Sequence, residues 1–207
     1  MIRIGMRLLG VGVTLALAGC ASVPLHYYTL VAPTAAAGGG AAATAATPSP
    51  PFELLAVNVP AQVDQPQLVV REGGQGVALL GSERWIAPLG DEIRSALSAD
   101  LARELHSQDL SGVPGNDKPL LRIKLDVRRF DSQPGSYALI EGTWSVRVLR
   151  GATAGALDCS SSIRETVGPG YDALVQGHQR AIGQLAAQIA AGARSLAAGQ
   201  TPACPAG

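Results

Sequence analysis

Two apolar periods alternate along the chain. Between Leu120 and Val127, every second position is large and apolar (Leu121, Ile123, Leu125, Val127), while Arg122, Lys124 and Asp126 fill the gaps. A period of two predicts a strand with one dry and one wet face. Phe130 breaks this parity after Arg128 and Arg129, which predicts a bulge or twist near the strand end. Beyond a turn at 131–135, Ile140, Trp144, Val146 and Val148 share a face opposite Glu141, Thr143, Ser145 and Arg147. A second turn at 151–155 leads to Leu157, Cys159 and Ile163, which alternate with Asp158, Ser160, Ser162 and Arg164. Three sequential strands on short loops predict an antiparallel meander.

The second period is helical. From Pro88 to His106, Leu89, Ile93, Leu97, Leu101 and Leu105 form one apolar stripe, with Asp91, Glu92, Arg94, Asp100, Arg103 and Glu104 assigned to the other faces. Pro88 suits a first turn, and Asp91 and Glu92 complement the helix dipole. A longer helix is predicted over 171–196, with Leu174, Val175, Ile182, Leu185, Ile189, Ala193 and Leu196 on one side and enough Ala and Gly for close packing. Earlier, 52–59 reads as a strand with Leu55, Val57 and Val59 on one face, closed by Pro60. Residues 67–71 and 77–80 read as a hairpin around Glu72-Gly73-Gly74-Gln75-Gly76. The predicted fold class is α+β, a two-layer α/β sandwich with a mainly antiparallel sheet and two long helices packed on one face.

The chain start follows neither period. Arg3 and Arg7 precede an uncharged apolar run, Leu8 to Ala18, that ends in Leu17-Ala18-Gly19-Cys20. That run is shorter than the roughly 20 residues a spanning helix needs, so it reads as an export signal. Leu-Ala-Gly-Cys resembles the lipobox of bacterial lipoproteins. The likeness implies removal of 1–19 as a signal peptide and lipid attachment at Cys20. Ala21, where an aspartate commonly retains such proteins at the inner membrane, implies the outer membrane.

Residues 20–30 then form the anchor and a first strand, whose core is His26-Tyr27-Tyr28-Thr29-Leu30. Residues 31–51 are almost all Ala, Gly, Thr and Pro, too poor in large apolar groups to order themselves. A disordered linker of that length spans roughly 25 Å and would let the domain move relative to whatever Tyr27 and Tyr28 hold. The single periplasmic domain is assigned to 52–200 and the C-terminal tail to 201–207.

Charge and cysteine content narrow the function. Sixteen basic residues balance sixteen acidic ones, and Arg3 and Arg7 leave with the signal, so no polyanion partner is indicated. The one basic cluster, Arg122, Lys124, Arg128 and Arg129, is interrupted by Asp126 and reads as a solvated strand face rather than a nucleic-acid stripe. With Cys20 lipidated, Cys159 and Cys204 remain in a compartment where disulfides persist. They form either a bridge stapling the tail to the domain or two free thiols.

Candidate chemistry is sparse. His26, His106 and His178 are far apart in sequence, and His178 reads as a satisfied, partly buried imidazole. There is no nucleophile elbow, Ser-x-x-Lys or Cys-x-x-Cys, and the Gly-rich hairpin lacks the Lys and Ser/Thr of a phosphate loop. No catalytic residue, metal or cofactor is assigned. Trp85, at a helix entrance, reads as a cap on the core, with a partner-binding anchor as the alternative.

The lipobox, the His26–Leu30 segment, the hairpin with Leu68-Val69-Val70-Arg71, and Arg84-Trp85-Ile86-Ala87-Pro88-Leu89 before the helix together resemble the PqiC-type family, auxiliary lipoproteins of ABC-type and MCE-associated transporters of Gram-negative bacteria. The resemblance implies a non-catalytic, outer-membrane-anchored periplasmic subunit. Its partners would be an MCE-domain protein and an inner-membrane permease or ABC transporter moving lipid between membranes, with a ring of copies as one arrangement. A structural or assembly lipoprotein of an outer-membrane complex, and a lipid hydrolase, are the alternatives.

Overall fold

The computed structural model describes residues 23–33, 49–114, 118–150 and 155–204. The signal segment, Cys20 and most of the Ala/Gly stretch lie outside the described residues. Among the described residues the element order is β1 His26–Tyr28, β2 Phe52–Leu54, β3 Gln67–Arg71, β4 Val77–Trp85, α1 Leu89–Leu105, β5 Leu120–Gln133, β6 Tyr137–Leu149, β7 Ala156–Thr166 and α2 Tyr171–Ala197. The class is α+β.

The period-two segments form the meander β5-β6-β7, antiparallel throughout. Leu125, Trp144 and Cys159 stand in one cross-strand row, and Ile123, Val146 and Leu157 in the next. The β5–β6 register slips between Val127 and Arg129, the bulge that Phe130 signalled. It restores Phe130 to the dry face, opposite Ile140 and Ile163.

Helix α2 lies across this dry face. A Cβ on Gly177 would come within 2.2 Å of Val167 Cγ1, and one on Gly192 within 2.7 Å of Leu157 Cδ2, so the glycines seat the helix against the sheet. Helix α1 packs beside α2, and the Arg194 Nη1–H donates to the Glu104 carbonyl between them at 2.9 Å. It ends where His106 turns left-handed, φ 48°, and Ser107 N–H donates back to the Ala102 carbonyl. Pro88 stands one residue ahead of α1, at its N-cap.

Three expectations are corrected. The strands form two sheets rather than one, ordered β1-β4-β3 and β2-β5-β6-β7, with β1–β4 and β2–β5 parallel. The 52–59 strand is only β2, and the expected face holds only after it, where Val57 is buried. Phe52 and Leu54 face the core while Leu55 is only partly covered, because the chain leaves the ladder after Leu54 and rejoins it at the single Asn58–Asp126 bridge. Third, Tyr28 holds no separate body, because β1 pairs with β4 and is a strand of the domain itself.

Candidate functional site

The segment nearest the expected anchor is held by two carboxylates from distant parts of the chain. Parallel pairing sets His26 opposite Glu83, Tyr27 opposite Arg84 and Tyr28 opposite Trp85. His26 and Tyr28 therefore lie on the same side of the pair as Glu83, which is 8% exposed. Tyr28 O–H donates to Glu83 Oε2 at 2.7 Å, His26 Nδ1 lies 3.0 Å from Oε1, and the Ser82 hydroxyl donates to the same oxygen. Burial works to raise the Glu83 pKa, but the hydrogen bonds from His26 and Tyr28 outweigh it and hold the carboxyl below its ordinary range. Burial, and then the bond to Glu83, raise that of Tyr28.

One turn further on, Glu92 makes the second clasp. It projects from the first turn of α1, where the helix dipole favours a carboxylate, and is 4% exposed. Its Oε2 accepts from the Thr29 hydroxyl and the Leu30 backbone N–H, each at 2.8 Å. Gln179 Nε2 of α2 donates to the Thr29 carbonyl at 3.1 Å, and Ile86 N–H donates to that of Tyr28 at 3.0 Å. Residues 26–30 are thus fixed to β4, α1 and α2 together. Sequence reasoning assigned Glu92 and Asp100 to solvent-facing sides of α1; both are buried, Asp100 against Arg103. Burial raises the Asp100 pKa, and Arg103 offsets only part of that rise.

Trp85 lies directly beneath this clasp. At 5% exposure it has no free ring surface for a partner, so the core-cap reading describes it and the partner-anchor reading does not. Its ring meets Phe130 edge to face at 6.2 Å, and Phe130 stacks on His178 at 4.0 Å. His178 is wholly rather than partly buried. Its Nε2 pairs with Ser132 Oγ at 2.8 Å, Nδ1 has no hydrogen-bond partner, and burial pushes its pKa down to about 3. His26, His106 and His178 sit on β1, at the end of α1 and within α2, and are not brought together.

The sulfurs of Cys159 and Cys204 are bonded, with Cα atoms 5.6 Å apart. The bond ties the tail to the edge strand β7. On the wet face of the meander an open groove of about 1150 Å³ is lined by Lys124, Asp126, Glu141, Arg147, Asp158 and Ser160, among others. Its charges pair internally, Lys124 with Asp126 at 2.7 Å and Arg147 with Asp158 at 3.2 Å. Within the basic cluster Arg122 also pairs with Glu53 and Arg129 with Asp131, so the face is solvated and largely neutralised. Among the described residues no three His, Cys, Asp or Glu side chains group to hold a metal, and no helix is long and apolar enough to cross a membrane.

These features define a small α+β domain whose amino-terminal strand is clasped into its core. The chain belongs to the family of ABC-type transport auxiliary lipoprotein components, which matches residues 28–190 and so includes both clasps from Tyr28 onward. Two solved structures share the fold. A crystal structure of an uncharacterized protein superposes with a TM-score of 0.61 at 18% identity, covering 81% of this chain and 97% of the other. A protein of Xanthomonas campestris gives 0.51 at 12% identity, covering 69% and 82%. No curated protein matches this chain.

Proposed function

We propose that this chain is a non-catalytic periplasmic subunit of an MCE-type intermembrane lipid transport system, anchored through lipid on Cys20 to the periplasmic face of the outer membrane. The family match over 28–190 carries the reading. Two features support it. The clasp fastens 26–30, the segment six residues beyond Cys20, to the domain. The large groove presents paired charges and hydroxyls, which suit docking a protein partner better than sheltering an acyl chain. The domain therefore receives or orients a conduit built by an MCE-domain protein, while an inner-membrane permease or ABC transporter supplies the energy.

Affinity capture of the lipidated protein from detergent-solubilised envelopes tests this. Recovery of an MCE-domain protein or a transporter permease is the expected result, and recovery of only an outer-membrane assembly complex would replace transport with the structural reading. Cys20→Ala should abolish lipid attachment and release the protein from outer-membrane fractions. Unchanged retention of that variant would overturn the anchor.

A further inference from the structure

We propose that the outer side of the β1–β4 pair, built from Leu25, Tyr27, Arg84 and Ile86, lies against the phospholipid surface to which the chain is anchored. The inference rests on lipid attachment at Cys20.

Strand parity separates the two sides. Tyr28, Glu83 and Trp85 lie on the side that packs on the domain, with His26 at its solvent-exposed margin, so Tyr27 and Arg84 face out, and Ile86 just after the strand is exposed beside them. Tyr27 is 57% exposed and Ile86 67%, and Leu25, just before the strand, is 47% exposed. These are large apolar groups left in the open on an element whose other side holds Glu83 and packs Tyr28 and Trp85.

The length of chain outside the fold says what covers them. From Cys20 to His26 there are six residue steps, which reach about 20 Å when fully extended. The clasps at Glu83 and Glu92 prevent the domain from releasing more chain. The β1–β4 face is thus the part of the domain closest to the lipid, and it cannot recede beyond one short reach.

Its chemistry fits a phospholipid interface. Tyrosine prefers the headgroup boundary, with its ring toward the acyl chains and its hydroxyl in water. Leu25 and Ile86 can enter the boundary beside it, and the Arg84 guanidinium, whose Nε–H meets only the Gly81 carbonyl at 3.5 Å, can take a phosphate. Contact at this face fixes the orientation of the domain, with α1 leading away from the bilayer.

The test uses the full-length lipidated protein in phosphatidylethanolamine/phosphatidylglycerol vesicles, carrying an environment-sensitive fluorophore on Ile86→Cys. The control is Glu104→Cys, also exposed, in the last turn of α1 and about 22 Å along the helix from Leu89. The expected result is blue-shifted emission at position 86 that is largely lost when nitroxide-headgroup lipid is included, with neither effect at position 104. Equal quenching at both positions, or none at 86, overturns the proposal. A blue shift at 86 that lipid nitroxides do not quench also overturns it, because a second copy or a protein partner then covers the face. The mass of the amino-terminal fragment reports lipid on Cys20 independently. A lipidated chain unquenched at 86 refutes the apposition and leaves the anchor standing, whereas an unlipidated chain refutes the anchor.

Discussion

Replacing Glu92 with alanine should free the amino-terminal strand without unfolding the domain. The carboxylate accepts two hydrogen bonds, from the Thr29 hydroxyl and the Leu30 N–H, and is almost wholly buried. A hydrogen bond to a charged group contributes about 1.5–3 kcal/mol, and a buried donor left without its acceptor carries a desolvation penalty in addition. The Thr29 hydroxyl can turn to water once released, but the Leu30 amide is set inside and cannot. The loss should therefore lie near the lower end of the pairwise sum, about 3 kcal/mol, or roughly a 100-fold rise in the opening equilibrium of this segment. Glu92→Gln retains an acceptor oxygen but removes the charge, and should cost about half as much. Amide hydrogen exchange read by mass spectrometry over 26–33, with 120–166 as the internal reference, measures the effect directly. The expected pattern is accelerated exchange at Leu30 and its neighbours, graded Ala over Gln, while the meander stays protected. If Leu30 exchanges at the wild-type rate in Glu92→Ala, the clasp does not hold the strand. If the meander loses protection in parallel, Glu92 supports the whole fold rather than the strand.

Three further outcomes follow from the packing. Replacing both Cys159 and Cys204 with serine opens a loop of 45 residues, and the chain-entropy relation gives a loss of about 4 kcal/mol, readable as a lowered urea midpoint. Gly177→Ala drives a Cβ into Val167 and should destabilise by about 1–3 kcal/mol in the same assay, whereas alanine at Gly183, whose nearest neighbour would be 3.6 Å away, should not. The folded protein keeps His178 neutral down to about pH 3, whereas an unfolded histidine binds a proton below about 6.5. The unfolded state therefore binds more protons between those limits, and stability should fall as pH is lowered from about 6.5. Denaturation midpoints between pH 6.5 and 4.5, above the range where Glu83 and Asp131 protonate, should show that slope, and His178→Gln should flatten it.

The meander and the two long helices were legible because their apolar periods are unbroken and each element buries one face. Even the bulge was readable, since Phe130 can reach the dry side only if one residue is looped out. The 52–59 segment misled because Leu55, Val57 and Val59 alternate as cleanly as Phe52 and Leu54, and the departure of the backbone from the ladder after Leu54 puts Phe52, Leu54 and Val57 all in the core. The clasp was illegible for a different reason. Glu83 and Glu92 look like ordinary surface acids on their own elements, and what buries them arrives from residues more than 50 positions earlier. Local patterning reports which face of an element is dry, but not which distant polar group will dock on the other. Trp85 shows the same limit, since its position at a helix entrance suited both a core cap and an exposed anchor until β1 covered it.

The two ends of the Ala/Gly-rich stretch are pinned at opposite ends of α1. Leu30 is fastened to Glu92 in the first turn, and Ser49 N–H donates to the carbonyl of Leu105 in the last. The helical rise between those residues sets the gap at about 20 Å, which about six extended residues would cross. The connection is far longer than that, and closing a longer loop costs only slowly more. Only the two ends are therefore held to a register, so the fold sets a minimum length for the stretch and no maximum. An insertion between those ends should leave the β1–β4 pairing and the register of the meander unchanged.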